Sequence, residues 1–250
     1  MSNIGNHLSK NKFLALIWSS IEKFISGSGT SKSVKKQFDK LADSYGQSMV
    51  KYLGPGHMAR IFQNHINADS QQNRFDILDL GCGTGLCGRR FKAFAKTLIG
   101  MDLSPKMLDE ARKLAIYDQL YADNVENYLN NTIPGTYDLV TSAGVFVYMG
   151  DLHLAFKGSF TALRAGGHFL FTVDRHDEIS VDVKPATGSN LRFTFSQDYL
   201  EQNLRSAGFR LLCIEKIDDR LNWQNQDPVP AFVILAQRPD TVPVQRECLN

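Results

Sequence analysis

The chain predicts an α/β protein: a doubly wound, mostly parallel sheet of seven strands, with an antiparallel last strand and an N-terminal helical lid. Three observations carry this expectation. From Phe75 onward, short apolar runs alternate with stretches of helical period, the mark of strand–helix–strand units with helices on both sheet faces. The last two apolar runs, 210–216 and 231–237, have no helical period between them, so they should pair antiparallel. The residues before Phe75 read as helices whose apolar stripes must be buried against something.

Taken in order, Phe13, Leu16, Ile17, Ile21 and Phe24 share one helical face, and 26–31 reads as a flexible linker. Val34, Phe38, Leu41, Tyr45 and Met49 recur at intervals of three or four and form a second helix, which Gly54-Pro55-Gly56 should end. Ile61, Phe62, His65 and Ile66 suggest a short third one. Strands are expected at 75–80, 97–101, 118–121, 137–141 and 168–173, and helices at 85–95, 105–114, 152–163 and 196–207. Segment 218–230 reads as a polar connection. The chain thus divides into a helix and linker (1–30), a helical lid (31–70), a ligand-binding core (71–238) and a polar tail (239–250).

Composition narrows the function classes. Of 250 residues, 43% are hydrophobic and 22% charged, which excludes a disordered chain. Lys+Arg exceed Asp+Glu by 28 − 26 = 2, so no basic surplus argues for nucleic acid. No apolar run reaches the length of a membrane span. Cys82, Cys87, Cys213 and Cys248 are too scattered for a disulfide framework or a metal cluster, and they fit a reducing, cytoplasmic location. The apolar run 13–18 is too short for an export signal.

The informative stretch is Ile77-Leu-Asp-Leu-Gly-Cys-Gly-Thr-Gly85, where a strand runs into a glycine turn ahead of a helix. Glycines let the backbone turn sharply and approach a ligand without a Cβ in the way. A dinucleotide cradle would place its third glycine at 86, which is Leu86 here. Asp102 ends the next strand, where a carboxylate can accept from both hydroxyls of an unphosphorylated ribose. Asp123 follows the third strand, within reach of an adenine amino group.

These residues reach a family. Leu78-Asp-Leu-Gly-Cys-Gly-Thr-Gly85 resembles the first motif of class I S-adenosylmethionine-dependent methyltransferases, and Gly100-Met-Asp-Leu-Ser-Pro-Lys-Met107 looks like their second. Tyr137-Asp-Leu-Val140 and Leu163-Arg-Ala-Gly-Gly167 look like the fourth strand and the turn before the fifth. Gly83-Thr-Gly-Leu-Cys-Gly88, Tyr117-Asp-Gln-Leu-Tyr121 and Val145-Phe-Val-Tyr-Met-Gly-Asp151 further resemble the predicted methyltransferases often fused to tetratricopeptide repeats. That subgroup tends to carry a His near Phe195, which is missing here. The resemblance implies a Rossmann-like sheet with S-adenosylmethionine as cofactor. Asp79, Gly81, Cys82 and Gly83 would then face its methionine part, Asp102 would hold the ribose, Met107 or Leu103 would pack on the adenine, and Asp123 and Asn124 would meet the adenine edge. Ser142 falls where a backbone carbonyl receives the methionine ammonium. The stretch Phe38 to Tyr45 resembles a lid helix, with Tyr45 closing over the cofactor.

Methyl transfer needs alignment, a dry pocket and sometimes a base. Tyr148, Tyr45 and His153 are the candidates for orienting or deprotonating an acceptor, and Arg175, Arg192 and Arg220 for recognising an acceptor carboxylate or phosphate. Thr141-Ser-Ala-Gly144 is no Asp/Asn-Pro-Pro-Tyr/Phe, which argues against methylation of adenine or glutamine amino groups. The expectation is an enzyme acting on a small-molecule or peptide acceptor, with no nucleic-acid or membrane partner and with its oligomeric state open. The alternative is a non-catalytic or regulatory S-adenosylmethionine-binding protein.

Overall fold

The computed structural model describes residues 28–48, 52–66, 74–177, 183–185, 192–221 and 228–240. The expected helix at 13–24 and the tail beyond residue 240 lie outside them. Helix α1 (Ser28–Ser48) and helix α2 (Gly54–Ile66) precede the first strand. The strands are β1 (Phe75–Leu80), β2 (Ala95–Asp102), β3 (Gln119–Ala122), β4 (Tyr137–Ser142), β5 (Leu163–Asp174), β6 (Val183–Pro185), β7 (Phe193–Phe195), β8 (Arg210–Leu221) and β9 (Pro228–Gln237). The intervening helices are α3 (Leu86–Phe91), α4 (Pro105–Lys113), α5 (Val125–Asn130), α6 (His153–Ala162) and α7 (Gln197–Ala207).

Seven strands form one sheet in the order β3-β2-β1-β4-β5-β9-β8. β1 to β5 run parallel, and β9 lies antiparallel between β5 and β8. β6 and β7 make a separate antiparallel pair. Side-chain alternation divides the core into two layers. Leu78, Val140, Phe169 and Phe171 face one side, under α5, α6 and α7, with Phe146 and Phe156. Ile77, Leu139, Leu170 and Val233 face the other, under Met58, Ile61 and Phe62 of α2 and Phe91 of α3. Phe62 is fully buried and meets Phe75, Phe91 and Phe94 edge-on. Helix α2 is therefore a cover for the sheet's face.

Helix α1 is the lid. Its Phe38 packs edge-on against Tyr148, beyond the end of β4, at 5.4 Å between ring centroids. The adjacent Asp39 accepts a 2.6 Å hydrogen bond from Ser104, just beyond β2. Both contacts lie past the carboxyl ends of the strands, so the helix bridges the edge where open α/β sheets bind ligands. The buried stripe is Val34 and Ala42, with Phe38 half-buried between them, while Leu41 is exposed.

Several expectations need correction. Residues 28–31, read as linker, are the first turn of α1. Gly54 and Pro55 open α2 instead of ending α1; proline suits a first helical turn, where its missing N–H is not needed. Helix α3 is shorter than the expected 85–95, because a 3₁₀ turn, Lys92–Phe94, tightens its end and β2 starts at Ala95. Helix α5 was not anticipated, although Asn124 caps it by accepting from the Asn127 backbone N–H at 2.8 Å. β8 and β9 take most of the supposed polar connection, leaving 222–227 between them, outside the described residues.

Phe156 is fully buried among Phe146, Phe169 and Phe171, with centroid separations of 5.8, 5.4 and 5.1 Å. Phe156→Ala should cost ~3–5 kcal/mol of stability, through lost transfer energy plus the cavity left behind. Urea denaturation should show a lower midpoint at an unchanged slope.

Candidate active site

The chain leaves β1 between β2 and β4, where the strand order reverses direction. Gly81, Gly83 and Gly85 all take positive φ, 64°, 54° and 91°, but for different reasons. A Cβ on Gly81 would overlap Val145, in the loop after β4, and one on Gly85 would press Leu114 at 2.5 Å. A Cβ on Gly83 would meet nothing within 4 Å. Gly83 alone of the three faces open space, as a backbone approached by a ligand should. The loop is tied to the end of β2: the Cys82 N–H donates to the Met101 carbonyl at 2.9 Å, and the Gly83 N–H to Asp102 Oδ2 at 2.9 Å.

Asp102 receives a second bond, from the Ser104 N–H at 2.8 Å. Burial pushes its carboxyl up to about 6, against the lowering effect of the Ser104 and Gly83 N–H groups; Asp39 nearby also raises it. Leu103 is half-exposed beside it, whereas Met107 is 1% exposed and faces the interior. Of the two residues offered for the adenine, only Leu103 presents a surface to the cleft. Asp123 and Asn124 sit at the start of α5. Both Asp123 oxygens accept from the Asn127 side chain, at 2.9 and 2.7 Å, and Asn124 is engaged as the helix cap. Asn124 is thus engaged as the cap, and Asp123 is held beside it by Asn127.

Asp79 and Cys82 also differ from expectation. Asp79 is 1% exposed and lies beneath the loop, its oxygens accepting from Tyr117 at 2.7 Å and Thr141 at 3.0 Å. Burial pushes it up to about 6, against the lowering bonds from Tyr117, Thr141 and Cys87. Cys82 is buried, and its sulfur lies 3.0 Å from where a Cβ on Gly100 would sit. Both shape the loop from below. Ser142, at the end of β4, is fully buried, and among the described residues its hydroxyl has no hydrogen-bond partner.

Beyond β4, Tyr148 is half-buried. Its oxygen accepts from Arg192 Nη1 at 2.8 Å, and the same guanidinium lies 5.0 Å from its ring centroid. Arg192 in turn donates to Asp174 Oδ2 through Nε at 3.1 Å and Nη2 at 2.5 Å. Sequence reasoning singled out Tyr148 and Arg192 separately; the β6–β7 pair that joins them carries too short a pattern to read. His153 starts α6 and is exposed, with its backbone N–H capped by Asp151, so it is a helix-surface residue. Arg175, just beyond the carboxyl end of β5, pairs with Asp177 and lies over Phe232. The side chains of Tyr45 and Arg220 lie outside the described residues. Tyr52 was missed: its hydroxyl sits 2.6 Å from where a Cβ on Gly144 would be, so that glycine, at φ 68°, admits the tyrosine to the loop after β4. Among the described residues, no cluster of His, Cys, Asp or Glu could hold a metal ion, and no helix is long and apolar enough to cross a membrane.

The Asp102 carboxylate would be ionised by a ligand that donates to it. S-Adenosylhomocysteine should therefore bind more tightly above pH 6 than below, and binding near pH 6 should release protons. Asp102→Asn should weaken binding about tenfold or more, since hydrogen bonds to charged groups are worth ~1.5–3 kcal/mol, and should abolish that part of the proton release. Calorimetry in buffers of different ionisation enthalpy measures both.

Comparison with known proteins agrees with this geometry. A family described as "Methyltransferase domain" matches residues 78–169, from β1 into β5. Malonyl-[acyl-carrier protein] O-methyltransferases from Yersinia pestis and Serratia marcescens are 26% and 33% identical, each over 142 residues and 56% of this chain. The chain spans about half the length of these curated relatives, 50% and 52%. Among solved structures, Burkholderia thailandensis 1,6-didemethyltoxoflavin-N1-methyltransferase, with bound 1,6-didemethyltoxoflavin and S-adenosylhomocysteine, superposes with a TM-score of 0.64 at 15% identity, covering 83% of this chain and 88% of that one. The [4+2]-cyclase SpnF superposes at 0.56 and 16% identity, covering 73% and 82%. The donor set also fits S-adenosylmethionine, through the open backbone at Gly83 and the Asp102 carboxylate. With its strand order, its glycine loop and the matched domain in agreement, the chain has the fold of class I S-adenosylmethionine-dependent methyltransferases and carries a methyltransferase-domain match over residues 78–169.

Proposed function

We propose that the protein transfers a methyl group from S-adenosylmethionine to a small-molecule acceptor. The observation that carries this reading is the reach of α1, which touches the Asp102–Ser104 turn through Asp39 and Tyr148 through Phe38. One helix thus covers a cofactor-side loop and an acceptor-side loop together. When bound, the cofactor supplies an electrophilic sulfonium methyl. Asp102 accepts from the ribose hydroxyls, the backbone at Gly83 admits the chain of the cofactor, and Leu103 flanks the base. Helix α1 excludes water from the cleft. Several curated relatives are O-methyltransferases by name, among them a ubiquinone biosynthesis enzyme from Vibrio parahaemolyticus, which favours an oxygen as the accepting atom.

Tyr148 is the acceptor-orienting group in this reading. Its oxygen accepts from Arg192, which leaves its proton to donate to the acceptor. A second reading, cofactor binding without methyl transfer, is favoured by one finding: a [4+2]-cyclase shares the fold. Incubation with methyl-labelled S-adenosylmethionine and a cell extract separates the two. Label in a low-molecular-weight product supports transfer, and tight binding with no labelled product supports the second reading. Once an acceptor is in hand, Tyr148→Phe should lower kcat/KM roughly tenfold, about the worth of one hydrogen bond. Affinity for S-adenosylhomocysteine should hold, because the ring remains for Phe38, while the thermal midpoint should fall as Arg192 Nη1 loses its acceptor.

A further inference from the structure

We propose that Tyr117 is the positioning residue of the cofactor loop: its ring fills a channel opened by three glycines, its hydroxyl fixes the buried Asp79, and the pair holds the β1–α3 turn in shape. This rests on the cofactor part of the reading above and concerns no acceptor.

Tyr117 comes from outside the loop, in the connection between α4 and β3. Its ring runs inward past three separate elements. A Cβ on Gly85, in the loop, would lie 3.2 Å from the ring, one on Gly100 of β2 would lie 2.9 Å from it, and one on Gly88 of α3 would overlap its hydroxyl. Gly88 is telling, because glycine inside a helix is about 1 kcal/mol worse than alanine. Removing the Cβ there makes room for the tyrosine. Gly85 and Gly100 serve Tyr117 as well, although both stand in motifs that read as ligand-binding glycines. The approach also needs an unusual turn. Ala115 has φ 52°, and among the described residues it is the sole non-glycine with positive φ. A left-handed residue after a helix is normally glycine. Such strain persists where the surroundings enforce it, and here it turns Tyr117 into the protein two residues later.

At the far end, Tyr117 donates to Asp79 Oδ2 at 2.7 Å while Thr141 of β4 donates to Oδ1 at 3.0 Å. A buried carboxylate is tolerable only with such partners. Asp79 is two residues ahead of Gly81, so fixing it fixes the point from which the glycine turn departs. The groups facing Asp79 are Asp102, which raises its pKa, the thiols Cys82 and Cys87, and the hydroxyls of Tyr117 and Thr141. The Tyr117 bond lowers it, so losing that hydroxyl should move Asp79 protonation to higher pH. Asp102 faces Asp79 and raises it, so the two carboxylates titrate as a pair, and the effect on Asp79 has to be read at its own carboxyl.

The test is calorimetric binding of S-adenosylhomocysteine to the full chain, with thermal midpoints measured in parallel. Tyr117→Phe and Gly88→Ala should each weaken binding roughly tenfold in a folded protein, and the double variant should be no weaker than the worse single one, since both act through one contact. In Tyr117→Phe the Asp79 carboxyl, followed by carbon-13 NMR, should titrate at higher pH than in the wild type. Unchanged affinity in either folded variant, losses that multiply, or an unmoved Asp79 titration would overturn the proposal. Should Tyr117→Phe fail to fold, Gly88→Ala alone decides. A wild-type chain without affinity for S-adenosylhomocysteine would overturn the cofactor reading itself, a result distinct from equal binding by wild type and variant.

Discussion

The site depends on the geometry at the carboxyl end of β1. With β2 on one side and β4 on the other, the chain leaving β1 has no strand to follow and must turn over the crevice between two diverging loops. That turn is made by glycines under three constraints. Gly81 lets Val145 of the β4 loop come close, Gly85 accommodates Leu114 and Tyr117, and Gly83 leaves its backbone open. The Gly83–Asp102 hydrogen bond then locks the turn to β2. A cleft of fixed shape follows from these few contacts, and the two core layers serve to keep β1, β2 and β4 in register beneath it.

The two carboxylates at this point oppose the stability of the free protein. Burial raises Asp79 and Asp102 to about 6, above the ordinary 3.8. A raised carboxyl favours folding most while it is protonated, below the ordinary value, and that contribution is lost as pH rises through 6. Near neutrality both sit ionised at a cost. Tyr117, Thr141 and Cys87 offset it for Asp79 from within the fold. For Asp102 the backbone N–H groups of Ser104 and Gly83 do so in part, and a hydroxyl-bearing ligand would complete the set. The pair thus divides into a carboxylate held by side chains within the fold and one held by backbone N–H groups at the crevice, although the sequence presents both as strand-end aspartates.

That division shows what could be read beforehand. The strands were legible because a doubly wound sheet demands continuous apolar runs, and Phe75–Leu80 was bounded to the residue. The places of Asp102, at the end of β2, and of Gly83, in the turn after β1, were legible from the strand pattern. Asp79, Met107, Asp123 and Asn124 were assigned to the cofactor by motif, yet they are turned toward Tyr117, the core and the α5 cap. Position along a strand fixes where a residue is, and burial fixes what it faces; only the first is written in spacing. The Tyr148–Arg192–Asp174 link was illegible for a related reason, since it joins residues 18 and 44 positions apart through a three-residue strand.

Helix α1 couples the two halves of the cleft. Phe38 and Asp39 are consecutive, so their side chains diverge by about 100° around the helix. One reaches the ring after β4 and the other the turn after β2. A helix lying flat on a single loop could not make both contacts; it must straddle the crevice. Ser104 is the hinge of this arrangement, since its hydroxyl accepts from Met107 as the cap of α4 while donating to Asp39. The Ser104 N–H at the same time holds Asp102. Asp102 is therefore one residue pair away from helix α1, and through Phe38 that helix is one ring away from Tyr148. The turn after β2 and the ring after β4 are in this way tied to adjacent residues of a single helix, so neither can shift without bearing on the other's contact.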